Sequence, residues 1–209
     1  MTSSTLARQF AFAAALVVTL LATSGVQAAP KTLLILGDSL SAAYGIDERL
    51  GWVQLLRDTL DAQGEYRVVN ASVSGETSRG GLARLPALLQ SHQPDIVVVE
   101  LGANDGLRGQ PIQQLNANLT KIVTLSQAQG AEVLLLGMKI PPNYGKRYTQ
   151  SFSAVYGKIA KKFELPLVDF FLDQVAGHRE RMQADGIHPT ADSQPQLLDN
   201  VLPQLQGLL

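Results

Sequence analysis

Apolar residues in this chain fall into five short unbroken runs, separated by longer stretches where they recur every three to four positions. The runs are Thr32–Leu36, Tyr66–Asn70, Ile96–Leu101, Val133–Met138 and Pro166–Asp169. They are rich in Val, Leu and Ile with little polar alternation, the pattern of parallel strands covered on both faces. The stretches between them predict helices over Gly51–Gln63, Thr77–Ser91, Ile112–Gln129 and Phe152–Phe163, and a last one near Asp192–Leu208. In the first helix Trp52, Leu55, Leu56, Thr59 and Leu60 share a face, so Trp52 is expected in the core. Thr77 suits an N-cap, and Gly130 a C-terminal stop. Strand–helix alternation of this kind predicts an α/β fold, a doubly wound three-layer sandwich with helices on both faces of a parallel sheet. Such sheets bind ligands outside the carboxyl ends of their strands.

The N-terminus reads differently. Residues 1–28 carry one cation, Arg8, then the apolar run Phe10–Leu21, then small residues ending Val26-Gln27-Ala28. This is the order of a secretory signal peptide cut after Ala28, and the run falls short of the roughly 20 residues of a membrane span. The expected organisation is therefore a signal peptide over 1–28 and one catalytic domain over 29–209, exported to the periplasm or beyond. Losing the leader shifts the formal net charge from −1 to −2. So small a charge favours neither nucleic acid nor an anionic membrane as partner. The chain has no cysteine, which excludes a disulfide framework, a thiol nucleophile, a thiolate metal site and a lipid anchor on the mature end.

Chemistry concentrates at the carboxyl ends of the predicted strands. Gly37-Asp38-Ser39-Leu40-Ser41 follows the first run directly and presents Ser39 at a strand-to-helix turn, as a nucleophile would be. A serine hydroxyl needs a base in reach, and the base needs orientation. Of three histidines, His92 precedes the third strand at the amino end of the sheet, and His178 lies among charged surface residues. His188 stands three residues after Asp185 and before Pro189, which disfavours helix and keeps the segment a loop where carboxylate and imidazole can meet. Gly75, in Ser74-Gly75-Glu76-Thr77, can bring a bare N–H close to a ligand. Asn104, in Gly102-Ala103-Asn104-Asp105, offers amide donors; taken in isolation, either motif reads more readily as an ordinary turn. Asp38 is expected to hold the serine turn and Asp105 to brace its own loop. No Gly-x-Ser-x-Gly elbow, phosphate loop or metal-ligand cluster occurs, so no cofactor or metal is expected.

These blocks together resemble the SGNH (GDSL) hydrolase family, over essentially the whole mature chain. Gly-Asp-Ser-Leu-Ser, Ser-Gly-Glu-Thr, Gly-Ala-Asn-Asp and Asp185-Gly186-Ile187-His188-Pro189 match its four signatures. Gly102–Gly109, Pro142–Tyr148 and Phe152–Tyr156 are similar to the small bacterial subgroup of multifunctional thioesterases and lysophospholipases. The resemblance implies a flavodoxin-like five-stranded sheet in the order 2-1-3-4-5. It also implies a triad of Ser39, His188 and Asp185, with an oxyanion hole from the Ser39 N–H, the Gly75 N–H and the Asn104 side chain.

The reading is an exported serine esterase/thioesterase acting on small acyl esters, acyl thioesters and lysophospholipids, expected as a monomer without a membrane anchor. Its activity should fall in acid as His188 becomes protonated. Leu107, Pro111, Ile140, Pro141 and Tyr144 could line an acyl groove or simply anchor loops, and Gly106 and Gly109 could let the loop between them shift. A carbohydrate or aryl-ester deacetylase would use the same machinery. A non-catalytic binding module on this fold would have no need of the set.

Overall fold

The protein is described by a computed structural model covering residues 29–61 and 64–209. The signal peptide expected over residues 1–28 lies outside the described residues. Five parallel strands, β1 (Lys31–Gly37), β2 (Tyr66–Asn70), β3 (Ile96–Glu100), β4 (Glu132–Leu136) and β5 (Leu167–Val168), form one sheet in the order β2-β1-β3-β4-β5. Leu33–Leu36, Val97–Val99 and Leu134–Leu136 are almost entirely inaccessible, as unalternating apolar strands must be when both faces are covered. Register sets Gly37 of β1 beside Glu100 of β3, so both strands end level with each other.

Among the described residues six α-helices complete the layers: α1 (Trp52–Asp61), α2 (Ser78–His92), α3 (Ala103–Leu107), α4 (Ile112–Ala128), α5 (Lys146–Phe163) and α6 (Gln194–Leu205). Helices α1 and α6 pack together, while α2, α4 and α5 lie side by side. Right-handed crossovers put these two groups on opposite faces, because the connection from β2 to β3 passes over β1. Thr77 caps α2 by accepting the Gly80 N–H, and Gly130, at φ 85°, turns the chain just past α4. Trp52 is fully buried.

Two elements depart from the hydrophobic pattern. Helix α5 begins at Lys146, not Phe152. Its first turns, Lys-Arg-Tyr-Thr-Gln-Ser, carry no apolar stripe to betray them, only Tyr148 packing against the core, and Phe152 is the helix's first fully buried residue. Helix α3 has only five residues, too few for a period to register.

Candidate active site

Everything the sequence marks as chemical lies at the carboxyl end of the sheet. The chain leaves β1 through a tight turn in which the Ala42 N–H donates to the Asp38 carbonyl and the Tyr44 N–H to the Ser39 carbonyl. Ser39 sits on that turn, nearly buried. Its Oγ is 2.9 Å from Nε2 of His188, and Nδ1 of the same ring is 2.6 Å from Oδ2 of Asp185. Ser39 and His188 are 149 residues apart, so the fold makes this junction.

The Asp185–His188 segment is built locally. Oδ1 of Asp185 accepts the N–H groups of Ile187 and His188 at 2.9 and 3.0 Å, leaving Oδ2 for the imidazole. These bonds, the imidazole's first, hold the Asp185 carboxyl down at about 2. It is therefore an acceptor at any pH where the protein would work. The segment is moored to the serine turn: the Gln183 side-chain amide donates to the carbonyls of Tyr44 (2.8 Å) and Pro189 (3.0 Å), and the Gln183 N–H to the His188 carbonyl (2.7 Å). The Tyr44 ring lies against the His188 ring, their centroids 4.5 Å apart.

Asp38 does more than brace its turn. Oδ1 accepts the Leu40 N–H at 3.0 Å, while Oδ2 accepts Nδ2 of Asn104 at 3.1 Å. One carboxylate thus orients both the serine turn and the Asn104 amide, whose Nδ2 makes no second hydrogen bond among the described residues. Burial pushes the Asp38 carboxyl up to about 6 against these stabilising donors. Asp105 reaches across to α2, where it accepts the Ser78 N–H (2.8 Å) and hydroxyl (2.6 Å); the bracing is between elements and not only within its loop. Gly102 precedes α3 at φ +114°, and a Cβ there would lie 2.2 Å from the Tyr156 hydroxyl, which donates to the Leu101 carbonyl. Only glycine satisfies both constraints.

Gly75 adopts φ +77°, and its carbonyl is turned to the Arg108 guanidinium at 3.0 Å. Neither the Gly75 nor the Ser39 N–H finds a protein acceptor among the described residues.

A cavity of about 510 Å³ opens over Ser39, Asn104 and His188. Leu107, Ile140 and Pro141 line it; Pro111 and Tyr144 do not. Pro111 leads into α4 on the surface, and Tyr144 belongs to a neighbouring groove, its hydroxyl donating to the Leu107 carbonyl at 2.8 Å. Met138, Phe170, Leu172, Met182 and Ile187 also line the cavity and escape a reading of the sequence, since nothing in an apolar loop residue's identity says which way it faces. Glu100 escapes it too, although a lone carboxylate ending an apolar run is a readable signal. The loop around Leu107 is fastened by the Tyr144 hydroxyl, by the Tyr148 hydroxyl on the Gln110 carbonyl, and by Arg108; Gly106 packs within α3 against Ile140 and Phe152. His92 ends α2 at the far end of the sheet, and exposed His178 faces Glu180. No group of three or more His, Asp or Glu among the described residues could hold a metal ion.

A parallel sheet in the order 2-1-3-4-5, with a serine, imidazole and carboxylate in one hydrogen-bonded row above its first strand, has the architecture of a hydrolase. The model of the GDSL-like lipase/acylhydrolase family matches residues 35–194, so the chain belongs to that family and is an enzyme of its hydrolase class. It is 56% identical over 184 residues to esterase TesA of Pseudomonas aeruginosa, spanning 88% of this chain and 92% of that one. It is 52% identical over 182 residues to thioesterase 1/protease 1/lysophospholipase L1 of Escherichia coli, covering 87% and 86%. The crystal structure of the psychrotrophic esterase EstA from Pseudoalteromonas sp., inhibited by monoethylphosphonate, superposes with a TM-score of 0.81 at 45% identity, over 85% of this chain and 97% of that one.

Proposed function

We propose that the protein hydrolyses carboxylic esters and thioesters through an acyl-enzyme on Ser39. The observation that carries this reading is the row Ser39 Oγ–His188–Asp185 opening into an apolar-walled cavity. His188 Nε2 takes the hydroxyl proton as Oγ attacks the acyl carbonyl carbon, and Asp185, fixed on Nδ1, holds the tautomer that leaves Nε2 free to accept. The carbonyl oxygen becomes an oxyanion, met by the N–H groups of Ser39 and Gly75 and by the free hydrogen of Asn104 Nδ2. Collapse expels the alcohol or thiol, protonated by His188. Water, deprotonated by the same imidazole, then cleaves the acyl-enzyme and releases the acid.

Leu107, Ile140 and Pro141, with Phe170 and Met138, supply apolar walls for an acyl chain. A site of that kind favours medium chains over acetyl groups, which supports an acyl esterase over a deacetylase. Aryl and alkyl esters, acyl-CoA thioesters and lysophospholipids are the proposed substrates, in keeping with the activities that name the relatives. We place the enzyme in the periplasm on the strength of the leader-like residues 1–28. No helix among the described residues is long and apolar enough to cross a membrane.

The test is hydrolysis of p-nitrophenyl butyrate, octanoate and palmitate by the protein and its Ser39→Ala variant, with fluorophosphonate labelling alongside. Turnover and labelling should vanish together in the variant, and turnover by the unaltered enzyme should fall in acid. Full turnover in Ser39→Ala would show the nucleophile to be elsewhere.

A further inference from the structure

Glu100 ends β3, and it is completely buried. A carboxyl group removed from water must find donors or keep its proton. Its two oxygens are treated unequally. Oε2 accepts the Asp38 N–H at 3.1 Å and the Ser41 hydroxyl at 2.7 Å, while Oε1 meets no partner among the described residues. A neutral acid suits a carboxyl group buried this deeply beside a second carboxyl, with Oε2 left to accept. Burial, followed by the nearby Asp38 carboxylate, pushes the Glu100 carboxyl well above its ordinary range.

The groups Glu100 holds flank the nucleophile. Asp38 immediately precedes Ser39, and Ser41 follows it by two residues. Ser41 is itself held from the far side: its hydroxyl accepts the Trp52 indole N–H at 3.2 Å, and its carbonyl accepts the Asn70 amide at 2.8 Å. Gly37 makes room for the contact, since a Cβ there would stand 2.8 Å from both Glu100 Oε2 and the Ser41 Oγ. The first glycine of Gly-Asp-Ser-Leu-Ser is thus explained by a carboxyl group on a different strand, far along the chain.

We infer that Glu100 is a positioning residue for the reaction proposed above: one buried oxygen, holding the Asp38 N–H and the Ser41 hydroxyl, fixes the turn that aims the Ser39 Oγ and N–H. The inference rests on the proposed role of Ser39. Glu100 is not among the residues lining the cavity, and the apolar walls proposed for the acyl chain (Leu107, Met138, Ile140, Pro141 and Phe170) are carried by segments other than the serine turn, so its removal acts on kcat and not on KM.

Steady-state kinetics on p-nitrophenyl butyrate, fluorophosphonate inactivation rates and urea unfolding together test this. Glu100→Ala lowers kcat about 100-fold, as a displacement of about 1 Å at the reacting atoms does, with KM unchanged and inactivation slowed in parallel. Glu100→Gln recovers kcat to within about fivefold of the unaltered enzyme, because its amide oxygen accepts the same two hydrogen bonds. If Glu100→Ala does not fold, Ser41→Ala removes one of the two bonds and lowers kcat about tenfold, again at unchanged KM. Full kcat per folded molecule in Glu100→Ala, or in Ser41→Ala where the former is unfolded, overturns the inference. So does a folded Glu100→Gln no better than Glu100→Ala. Ser39→Ala measured alongside keeps the two claims apart. Hydrolysis surviving there defeats the proposed function itself, whereas an inactive Ser39→Ala beside an intact Glu100→Ala defeats only the role of Glu100.

Discussion

Replacing Asp38 by asparagine should make the protein more stable at alkaline pH and nearly inactive, and the size of both effects follows from its surroundings. The Asp38 carboxyl is raised from 3.8 to about 6, chiefly by burial. Between those values the folded protein binds a proton that the unfolded chain has already released, so stability falls as pH rises through this window and levels off above it. A shift of that size is worth about 3 kcal/mol at 1.36 kcal/mol per pK unit. An asparagine cannot titrate, so the difference in unfolding free energy between the two proteins reports the Asp38 charge together with its effect on the neighbouring Glu100 carboxyl. At pH 4 the Asp38→Asn variant should be the less stable by about 1 kcal/mol, the worth of its altered bond to Asn104. At pH 8 it should be the more stable by about 2 kcal/mol once the buried charge is gone. Activity moves the other way. With its oxygen kept on the Leu40 N–H, the introduced amide turns a donor toward Asn104 Nδ2. The Asn104 amide must then flip and present its oxygen where the oxyanion forms, a loss on the order of 100- to 1000-fold in kcat. Urea unfolding at a series of pH values gives the first quantity and p-nitrophenyl butyrate turnover the second. A stability difference that does not change sign or size between pH 4 and 8 would refute the buried-charge argument. Near-normal kcat in a folded variant would refute the role given to the Asp38–Asn104 bond.

Two further substitutions probe the nucleophile turn and the cavity. Gly37→Ala forces a methyl to within 2.8 Å of Glu100 Oε2 and Ser41, neither of which can swing away. It should lower stability by about 1–3 kcal/mol, as core overpacking does, and slow fluorophosphonate labelling; thermal unfolding and labelling rates check both. Leu107→Ala should reduce kcat/KM for octanoate about tenfold while sparing butyrate, consistent with the loss of one leucine contact to a longer chain. It is a cleaner probe than Ile140→Ala, because Ile140 is buried against Gly106 and its loss would also destabilise the fold.

How far the fold and site can be read from the chain depends on whether the determining contact is local. The five strands and most of the helices are legible because each buries a continuous or periodic set of apolar residues, and burial acts on every residue of an element at once. Asp185 and His188 are legible for a similar reason: they stand three positions apart, and Oδ1 of Asp185 closes that turn on the N–H groups of Ile187 and His188. What escapes is decided by residues far away in the chain. Pro111 and Tyr144 share with Leu107 an apolar character and a position past a strand end, but side-chain direction there is set by how α4 and the Pro142–Tyr144 turn pack. Tyr144 ends up supporting the cavity wall through the Leu107 carbonyl and not forming it.

Glu100 is the instructive case. Read along the chain, Ile96–Leu101 is one more buried strand with a charge near its end, and nothing nearby says what the charge is for. Yet a carboxyl group in a strand covered on both faces is too costly to be incidental. The parallel register that sets Gly37 beside Glu100 determines which donors it can find. Those donors belong to the nucleophile turn because β1 and β3 are neighbours in a 2-1-3-4-5 sheet; in another strand order the same Glu would meet something else. The glycine, the buried acid and the strand order therefore form a single constraint: a motif that looks local, Gly-Asp-Ser-Leu-Ser, is held in place by a carboxyl group at the end of β3.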